Sequence, residues 1–490
     1  MVAASMIAGS TRRAPASSSP PAEARLRLAI AGGGDDRIWL DAVTRRNRYG
    51  APATPAPDEL WFSSSTASAV SPRGWLAAGE ALRRITGPAA QPIGAWFDDL
   101  RRRLLMLYGP PGAEAILAAS GTEAELVTLG LALGLAEGPL TNIVVAPAET
   151  GSGVPAAASG LHFLSRASLG GAVVKAARLA GWEHAEVTLE TIEIRNQRGA
   201  PRAQADVDDE AAAKVALAIA SGGFALLHVL DASKTGRTGV SRVAARRIRT
   251  LCPERVLVVV DACQLRCAAA DIRRDLEDGL AVMLTGSKFA GGPAFCGALL
   301  LPPDLARRLA EAPAAASPTA ASPTAALAPY SAALDWPLAL RSRYAAGLVH
   351  PANLGLGLRW SAALAEIEAY ERVPLVLRAT LLADFDGAVR AHVAADPGLA
   401  LADRCDGAAT GLVSIVHADG ADPRAVYEAL TTGEGGRRPC HLGQPVAVGP
   451  RQALRVCASM PMITDAAERG FGAIEADLDQ VFASWAELRL

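Results

Sequence analysis

The residues "LTGSKFAGGPAFCGALLLP" at 284–302 place one lysine, Lys288, between two apolar runs and follow it with Gly291, Gly292 and Pro293. A buried ammonium is costly unless it is paired or neutralised. Glycines beside it let a ligand approach the backbone closely. Two further groups stand upstream. "VVVDACQ" (258–264) ends an apolar run in Asp261, and Gln264 follows three residues on. "AASGTEAEL" (118–126) sets Ser120, Gly121 and Thr122 at the start of a helical pattern, where free first-turn amides bind phosphate. Singly, each has an ordinary explanation: a capping serine, an aspartate closing a strand as the next N-cap. In this order and spacing, a phosphate loop, an acid and a lysine describe a pyridoxal phosphate site. The lysine amine forms an imine with the cofactor aldehyde. The aspartate keeps the pyridine nitrogen protonated, and Thr285 and Ser287 offer hydroxyls to the phosphate.

Such groups need elements that bring them together. "NIVVAP" (142–147), "FALLHVLD" (224–231), "VLVVVDA" (256–262), "AVMLTG" (281–286) and "GALLLP" (297–302) are short continuous apolar runs, suited to strands covered on both faces. Helical patterns alternate with them at 121–136, 240–252 and 268–279. The alternation predicts a large, doubly wound, mainly parallel α/β domain. Asp261 and Lys288 close successive strands of one βαβ unit, on the sheet edge where such folds bind ligands. The last third has another texture. "GLVSIVHAD" (411–419), a helix near 423–432, "ALRVCASM" (453–460) and a closing helix from about 473 predict a smaller α+β domain. The chain divides into a disordered tail (1–24), an N-terminal extension (25–57), the large domain (58–345) and the small domain (346–490). Within the large domain the low-complexity stretch at 312–329 reads as a flexible surface loop, because proline breaks any helix there. "IAGGGDD" (30–36) fails the GxGxxG spacing, since its last glycine position falls on Arg37, and reads as a turn.

Half of the 490 residues are apolar, enough for a sizeable core, and the net charge is −2. That charge gives no reason to expect nucleic acid or an anionic membrane as a partner. The seven cysteines, Cys252, Cys263, Cys267, Cys296, Cys405, Cys440 and Cys457, are odd in number and lack CxxC pairs. They read as reduced buried thiols of a cytoplasmic protein, with no metal site. No stretch reaches the ~18 apolar residues of a membrane span. Arg12 and Arg13 are followed by Pro, Ala and Ser, where a twin-arginine export signal needs an apolar run.

From about residue 58 onward the chain resembles the class V aminotransferase family of fold-type I pyridoxal phosphate enzymes, in particular its cysteine desulfurase and selenocysteine lyase branch. The family's "SGTEA" phosphate loop stands as Ser120–Ala124 and its "VDxxQ" as Val260–Gln264. Its "SGHK" stands as Thr285, Gly286, Ser287 and Lys288, and its "GPxGxG" is recast as Gly292, Pro293 and Gly297. "ASKTG" (232–236) is similar to the "SNxTG" loop that reaches substrate, with Ser233 where asparagine is usual. The resemblance implies that Asp261 meets the pyridine nitrogen and Gln264 the phenolic oxygen. "ALRVCAS" (453–459) resembles the segment holding the substrate-carboxylate arginine, here Arg455. "HPANLGLGLRW" (350–360) resembles the stretch that lends a group to the neighbouring subunit's phosphate, here His350 or Asn353. That implies a homodimer with shared sites.

Three departures bear on the reaction. The desulfurase nucleophile of the "HCAQP" loop falls on Leu442 in "RRPCHLGQPVAVG" (437–449), and Cys440 lies two residues away. Thr150 follows Glu149 where the family carries its ring-stacking histidine. Ser287 stands where a histidine precedes the lysine. His441 and Gln444 remain in the C-terminal loop, His441 as an acid or base beside Arg455. The hydroxyl cluster of "WFSSSTASAVSP" (61–72) either lines the substrate pocket or forms a surface turn. The expected function is a pyridoxal phosphate enzyme acting on a small amino acid. Elimination or carbon–carbon lyase chemistry is preferred to desulfuration, with an aminotransferase or a non-catalytic protein of the same fold as alternatives.

Overall fold

The computed structural model describes residues 22–311, 323–403 and 409–489. Twelve strands run in chain order: β1 (Leu60–Phe62), β2 (Glu114–Ala118), β3 (Leu140–Val145), β4 (Val187–Ile192), β5 (Phe224–Leu230), β6 (Val256–Ala262), β7 (Ala281–Thr285), β8 (Gly297–Leu301), β9 (Leu399–Leu401), β10 (Leu412–His417), β11 (Cys440–Val448) and β12 (Arg451–Cys457). Seven form a large sheet in the order β2-β8-β7-β6-β5-β3-β4. β4, β3, β5, β6 and β7 are mutually parallel, while β8 runs antiparallel between β7 and β2. The five apolar runs of the sequence are β3, β5, β6, β7 and β8.

Period-2 alternation along these runs feeds two separate cores. Leu227, Val229, Val258, Val260, Val282 and Leu284 face one, with Leu356, Trp360 and Ala363 of the helix Leu354–Arg372. Leu226, Val259, Ala281, Met283 and Leu299 face the other, with Leu126, Val127 and Leu129 of the helix Gly121–Leu135. Every residue of that second helix from Thr122 to Ala132 is buried, which fixes its N-terminus against the sheet edge.

The smaller sheet has the order β1-β11-β12-β10-β9. Its first strand comes from the opposite end of the chain and pairs parallel with β11, Leu60 opposite Cys440 and Phe62 opposite Leu442. Chain order and spatial division therefore do not coincide: β1 sits in the small sheet although it precedes the large one.

The expected tail lies outside the described residues up to residue 21, and residues 22–24 open the helix Ala22–Ile30. Of the low-complexity stretch, 312–322 lies outside the described residues. Pro323–Leu327 forms a 3-10 turn with Thr324, Ala326 and Leu327 buried. Trp182 Nε1 donates to Pro323 O (2.7 Å) and Thr324 Oγ1 to Tyr344 O (2.7 Å), so this half is anchored, not free. No disulfide joins the six described cysteines. Among the described residues no helix is long and apolar enough to cross a membrane.

Candidate active site

β5, β6 and β7 end side by side, with Leu230 opposite Asp261 and Asp261 opposite Met283. Their carboxyl ends, with the start of the helix Gly121–Leu135, open onto one cavity. Gly121, Thr122, Thr150, Asp261, Gln264, Thr285, Ser287, Lys288 and Gln444 line it. Asp261 Oδ1 accepts from Cys263 N (3.0 Å). Among the described residues, no cationic side chain lies within ion-pair distance of Asp261 and no carboxylate within that distance of Lys288. Ser120 Oγ caps the helix by accepting from Glu123 N (3.3 Å), and the first-turn amides of Gly121 and Thr122 have no intrahelical partner. A Cβ on Gly121 would lie 2.8 Å from Cys263 Sγ, so only glycine lets this helix start abut the end of β6.

These groups fit pyridoxal phosphate on the chemistry of the donors. Thr285 Oγ1 donates to Cys263 O (2.7 Å) and so holds the loop, whereas the Ser287 hydroxyl has no protein partner among the described residues. Gln264 Nε2 donates to Ser65 O (3.2 Å), and its buried amide oxygen is orphaned. An acid without a cation, a lysine without a carboxylate, free helix amides, a spare hydroxyl and an orphaned amide oxygen thus surround one space.

A second wall comes from the small sheet. Ser65 and Thr66 line the cavity, so the serine cluster is pocket and not surface; Ser63, Ser64 and Ser65 are all buried. Arg455, on β12 opposite Gly443, is 1% exposed and lies behind the lining residues Thr66, Lys234 and Gln444, not itself on the cavity surface. Its guanidinium donates to Gln444 O, to Thr66 Oγ1 (3.3 Å) and to Lys234 O (3.4 Å), while Nε has no partner. Among the described residues no carboxylate lies within ion-pair distance of it, and burial pulls its pKa down to about 10.

Thr150 follows the turn Pro147–Glu149 and lines the cavity where a ring-stacking histidine is expected. Its hydroxyl donates to Pro147 O (3.2 Å). The neighbouring Glu149, 4% exposed, is a structural hub that accepts from Arg195, Ser233 (2.9 Å) and Thr235. Arg195 also holds Asp403 through two bonds of 2.8 and 2.6 Å. Ser233 is therefore turned into this network, and it is Lys234, one residue on, that lines the cavity.

Three expected site residues lie elsewhere. His441 stacks on Trp61 (centroids 3.7 Å apart), and its Nε2 is 2.7 Å from Glu59 Oε2, itself paired with Arg46. It is 2% exposed and does not line the cavity. Asn353 caps the helix Leu354–Arg372, with Oδ1 accepting from Leu356 N (3.1 Å) and Nδ2 donating to Gly33 O (2.9 Å). Both ends of its amide are used within its own chain. His350 is half-buried and away from the cavity, and only its carbonyl is engaged, by Ala333 N.

Other contributors are visible only in three dimensions. The N-terminal extension delivers Arg37 and Tyr49 to the cavity. Arg37 pairs with the buried Asp35 (2.6 Å) and lies over the Phe295 ring (4.8 Å). His228 Nε2 sits 3.2 Å from Glu125 Oε2. Burial alone would lower the His228 pKa, but the Glu125 carboxylate outweighs it and raises it. Ala146, Leu265 and Phe295 take left-handed backbone (φ 47, 54 and 73), each in or beside the cavity wall. Such conformations cost on the order of 1–3 kcal/mol and gather at ligand sites.

No protein-family model matches the chain, and no curated protein matches it. Among solved structures it is similar to the cysteine desulfurase CsdA (S-sulfonic acid) of Escherichia coli: 14% identity, TM-score 0.55, with 88% of this chain and 96% of that one covered. A NifS-like protein of Rickettsia africae gives 10% identity and a TM-score of 0.52 over 88% and 99% of the two chains. The phosphoserine aminotransferase SerC of Cytophaga hutchinsonii gives 12% and 0.51 over 86% and 99%. At these identities the likeness establishes the fold, that of the fold-type I pyridoxal phosphate-dependent transferases.

Proposed function

We propose that the protein is a pyridoxal phosphate-dependent enzyme acting on an α-amino acid. The observation that carries this is the meeting of Lys288, Asp261 and the Gly121–Thr122 helix start on one cavity, each without a protein counter-group. When bound, pyridoxal phosphate supplies an electrophilic carbonyl for the substrate amine and a ring that accepts the electron pair released at the α-carbon. Gly121, Thr122 and Ser287 would hold its phosphate, Asp261 its pyridine nitrogen and Gln264 its phenolic oxygen. Lys288 would hold the carbonyl carbon through its amine, and its Nζ would carry the proton at the substrate α-carbon. Arg455 takes the substrate carboxylate through its guanidinium, with the carbonyl of Gln444 steadying it.

Desulfuration through a cysteine is disfavoured by what occupies the nucleophile's position. Leu442 is 1% exposed and packed in β11 opposite Phe62. Cys440 is equally buried outside the cavity, and burial pushes its thiol pKa up, away from the reactive thiolate. Lyase chemistry by elimination needs one substrate and no thiol, and is the reading preferred here. Amino transfer uses the same residues, and an absolute requirement for a 2-oxo acid acceptor would identify it. His350, whose imidazole has no partner among the described residues, is the residue available to a neighbouring subunit in a proposed homodimer.

The test is the absorption spectrum of the purified protein with added cofactor, beside Lys288→Ala. A visible band in the wild type that the variant lacks is expected, with turnover falling at least about 10³-fold in the variant. A wild type that develops no band overturns the cofactor reading.

A further inference from the structure

Lys234 stands on the loop after β5 and lines the same cavity as Lys288. Its backbone is fixed on both sides: its N–H donates to Glu149 O (2.9 Å), and its carbonyl accepts from Arg455 Nη1 (3.4 Å). Among the described residues its ammonium has no carboxylate within ion-pair distance. The acids around the cavity are committed. Glu149 is shared by Arg195, Ser233 and Thr235. Glu125 serves Asn142 (2.8 Å) and His228 (3.2 Å), and Asp35 serves Arg37 (2.6 Å). Burial, with repulsion from Arg455 and Lys288, pulls the Lys234 ammonium down to about 7. An ammonium left in this state in a cavity is recharged and stabilised by an incoming anion.

Of the other basic side chains that line the cavity, Arg37 is paired with Asp35 (2.6 Å), His228 faces Glu125 (3.2 Å) and Lys288 is taken up by the proposed function, which leaves Lys234 over. Lys288 would meet the cofactor carbonyl and Asp261 the ring nitrogen. Gly121, Thr122 and Ser287 would hold the phosphate, and Arg455 the α-carboxylate. The phosphate end is marked by Gly121 against Cys263 and Thr285. Lys234 belongs to the other end, where Arg455 touches Thr66, Gln444 and the Lys234 carbonyl itself. We propose that Lys234 binds a second anionic group at the end of the substrate side chain, so that the substrate is an acidic α-amino acid. This deepens, and rests on, the reading of the cavity as an amino-acid site.

The test titrates the cofactor-treated protein with succinate and glutarate against propionate and butyrate by calorimetry, at about pH 6, where the ammonium is charged. The wild type is expected to bind each diacid at least about 10-fold tighter than its monoacid counterpart. Lys234→Met should abolish that preference while leaving monoacid affinity intact, and Lys234→Arg should retain it. Equal affinities in the wild type overturn the proposal. So does equal weakening of mono- and diacids in Lys234→Met, which would mean one carboxylate shared with Arg455. Weakened cofactor uptake in Lys234→Met with the diacid preference intact would assign the lysine to the phosphate and also overturn it. The visible band of the same samples judges the cofactor reading separately: a band without diacid preference sinks only the substrate class, and diacid preference without a band sinks only the cofactor.

Discussion

Arg359 and Arg455 lie in different halves of the molecule, yet share every property that burial sets. Each is essentially inaccessible, neither has a carboxylate within ion-pair distance among the described residues, and burial pulls each guanidinium pKa down to about 10. They differ in completeness. Arg359, on the helix Leu354–Arg372, donates to the carbonyls of Phe295 (2.6 Å), Ile30 (2.9 Å), Gly32 (2.5 Å) and Gly33 (2.8 Å), using all three nitrogens. It gathers the N-terminal extension onto the large domain. Gly33 makes that turn possible: it has φ +66, and a Cβ there would lie 1.9 Å from Asn353 Oδ1. Arg455 has two long contacts, one short one and an orphaned Nε. Hydrogen-bond completion, and not burial, is what distinguishes the two arginines.

The comparison breaks most readily at Arg359. Arg359→Met leaves the carbonyls of Ile30, Gly32 and Phe295 without a donor, and Gly33 O with Asn353 Nδ2 alone, and should cost about 3–5 kcal/mol of unfolding free energy. Denaturant unfolding reads the loss, and limited proteolysis should find new cleavage within 22–57. A loss below about 1 kcal/mol would deny the clamp. Arg455→Gln should behave in the opposite way, with unfolding within about 1 kcal/mol of wild type and monocarboxylate binding weaker by about 10- to 100-fold. Destabilisation as large as that of the Arg359 variant would make the two arginines equivalent and remove the basis for a carboxylate site.

The smallest effect sharpens the same contrast on a third charge, the half-buried Glu59. Burial would raise the Glu59 pKa, but His441 and Arg46 outweigh it and hold it down to about 2. A carboxylate whose folded pKa lies below its unfolded value stabilises the fold above the unfolded value, near 4.5, and loses that contribution as pH falls toward 2. Glu59→Gln should therefore cost about 1–2 kcal/mol at neutral pH, a value discounted for partial solvent screening, and almost nothing near pH 2. It should leave turnover unchanged. A change in turnover without one in stability would return His441 to the catalytic centre.

The sequence made the sheet legible where apolar runs are continuous, because strands covered on both faces carry no polar interruption: β3, β5, β6, β7 and β8 fall within about two residues of the expected runs. That Lys288, Asp261 and the Ser120–Thr122 turn meet on one cavity was legible because each sits at a strand end or a helix start. His441 was not, since its role depends on Trp61, which reaches it only through the parallel pairing of β1 with β11. Glu149 was noticed only as a marker for Thr150, because Arg195 and Asp403 approach it from distant segments. Lys234 had a readable signal that went unused: it follows the third strand end on the edge that already held Asp261 and Lys288. Arg37 and Tyr49 had none, as their turn-rich segment has no periodicity to place it.

The parallel seam between β1 and β11 also sets an order of events during synthesis. Ser64 reaches across to Ala458, 394 residues later in the chain, and Ser63 bridges Cys457. The large sheet, from β2 to β8, is complete once Leu301 has been made. The contact between Thr66 and Arg455 must wait for nearly the whole polypeptide. A nascent chain can thus hold Lys288, Asp261 and the Gly121–Thr122 helix start in place while Thr66 has no Arg455 to meet, so that this side of the cavity is the last to be completed.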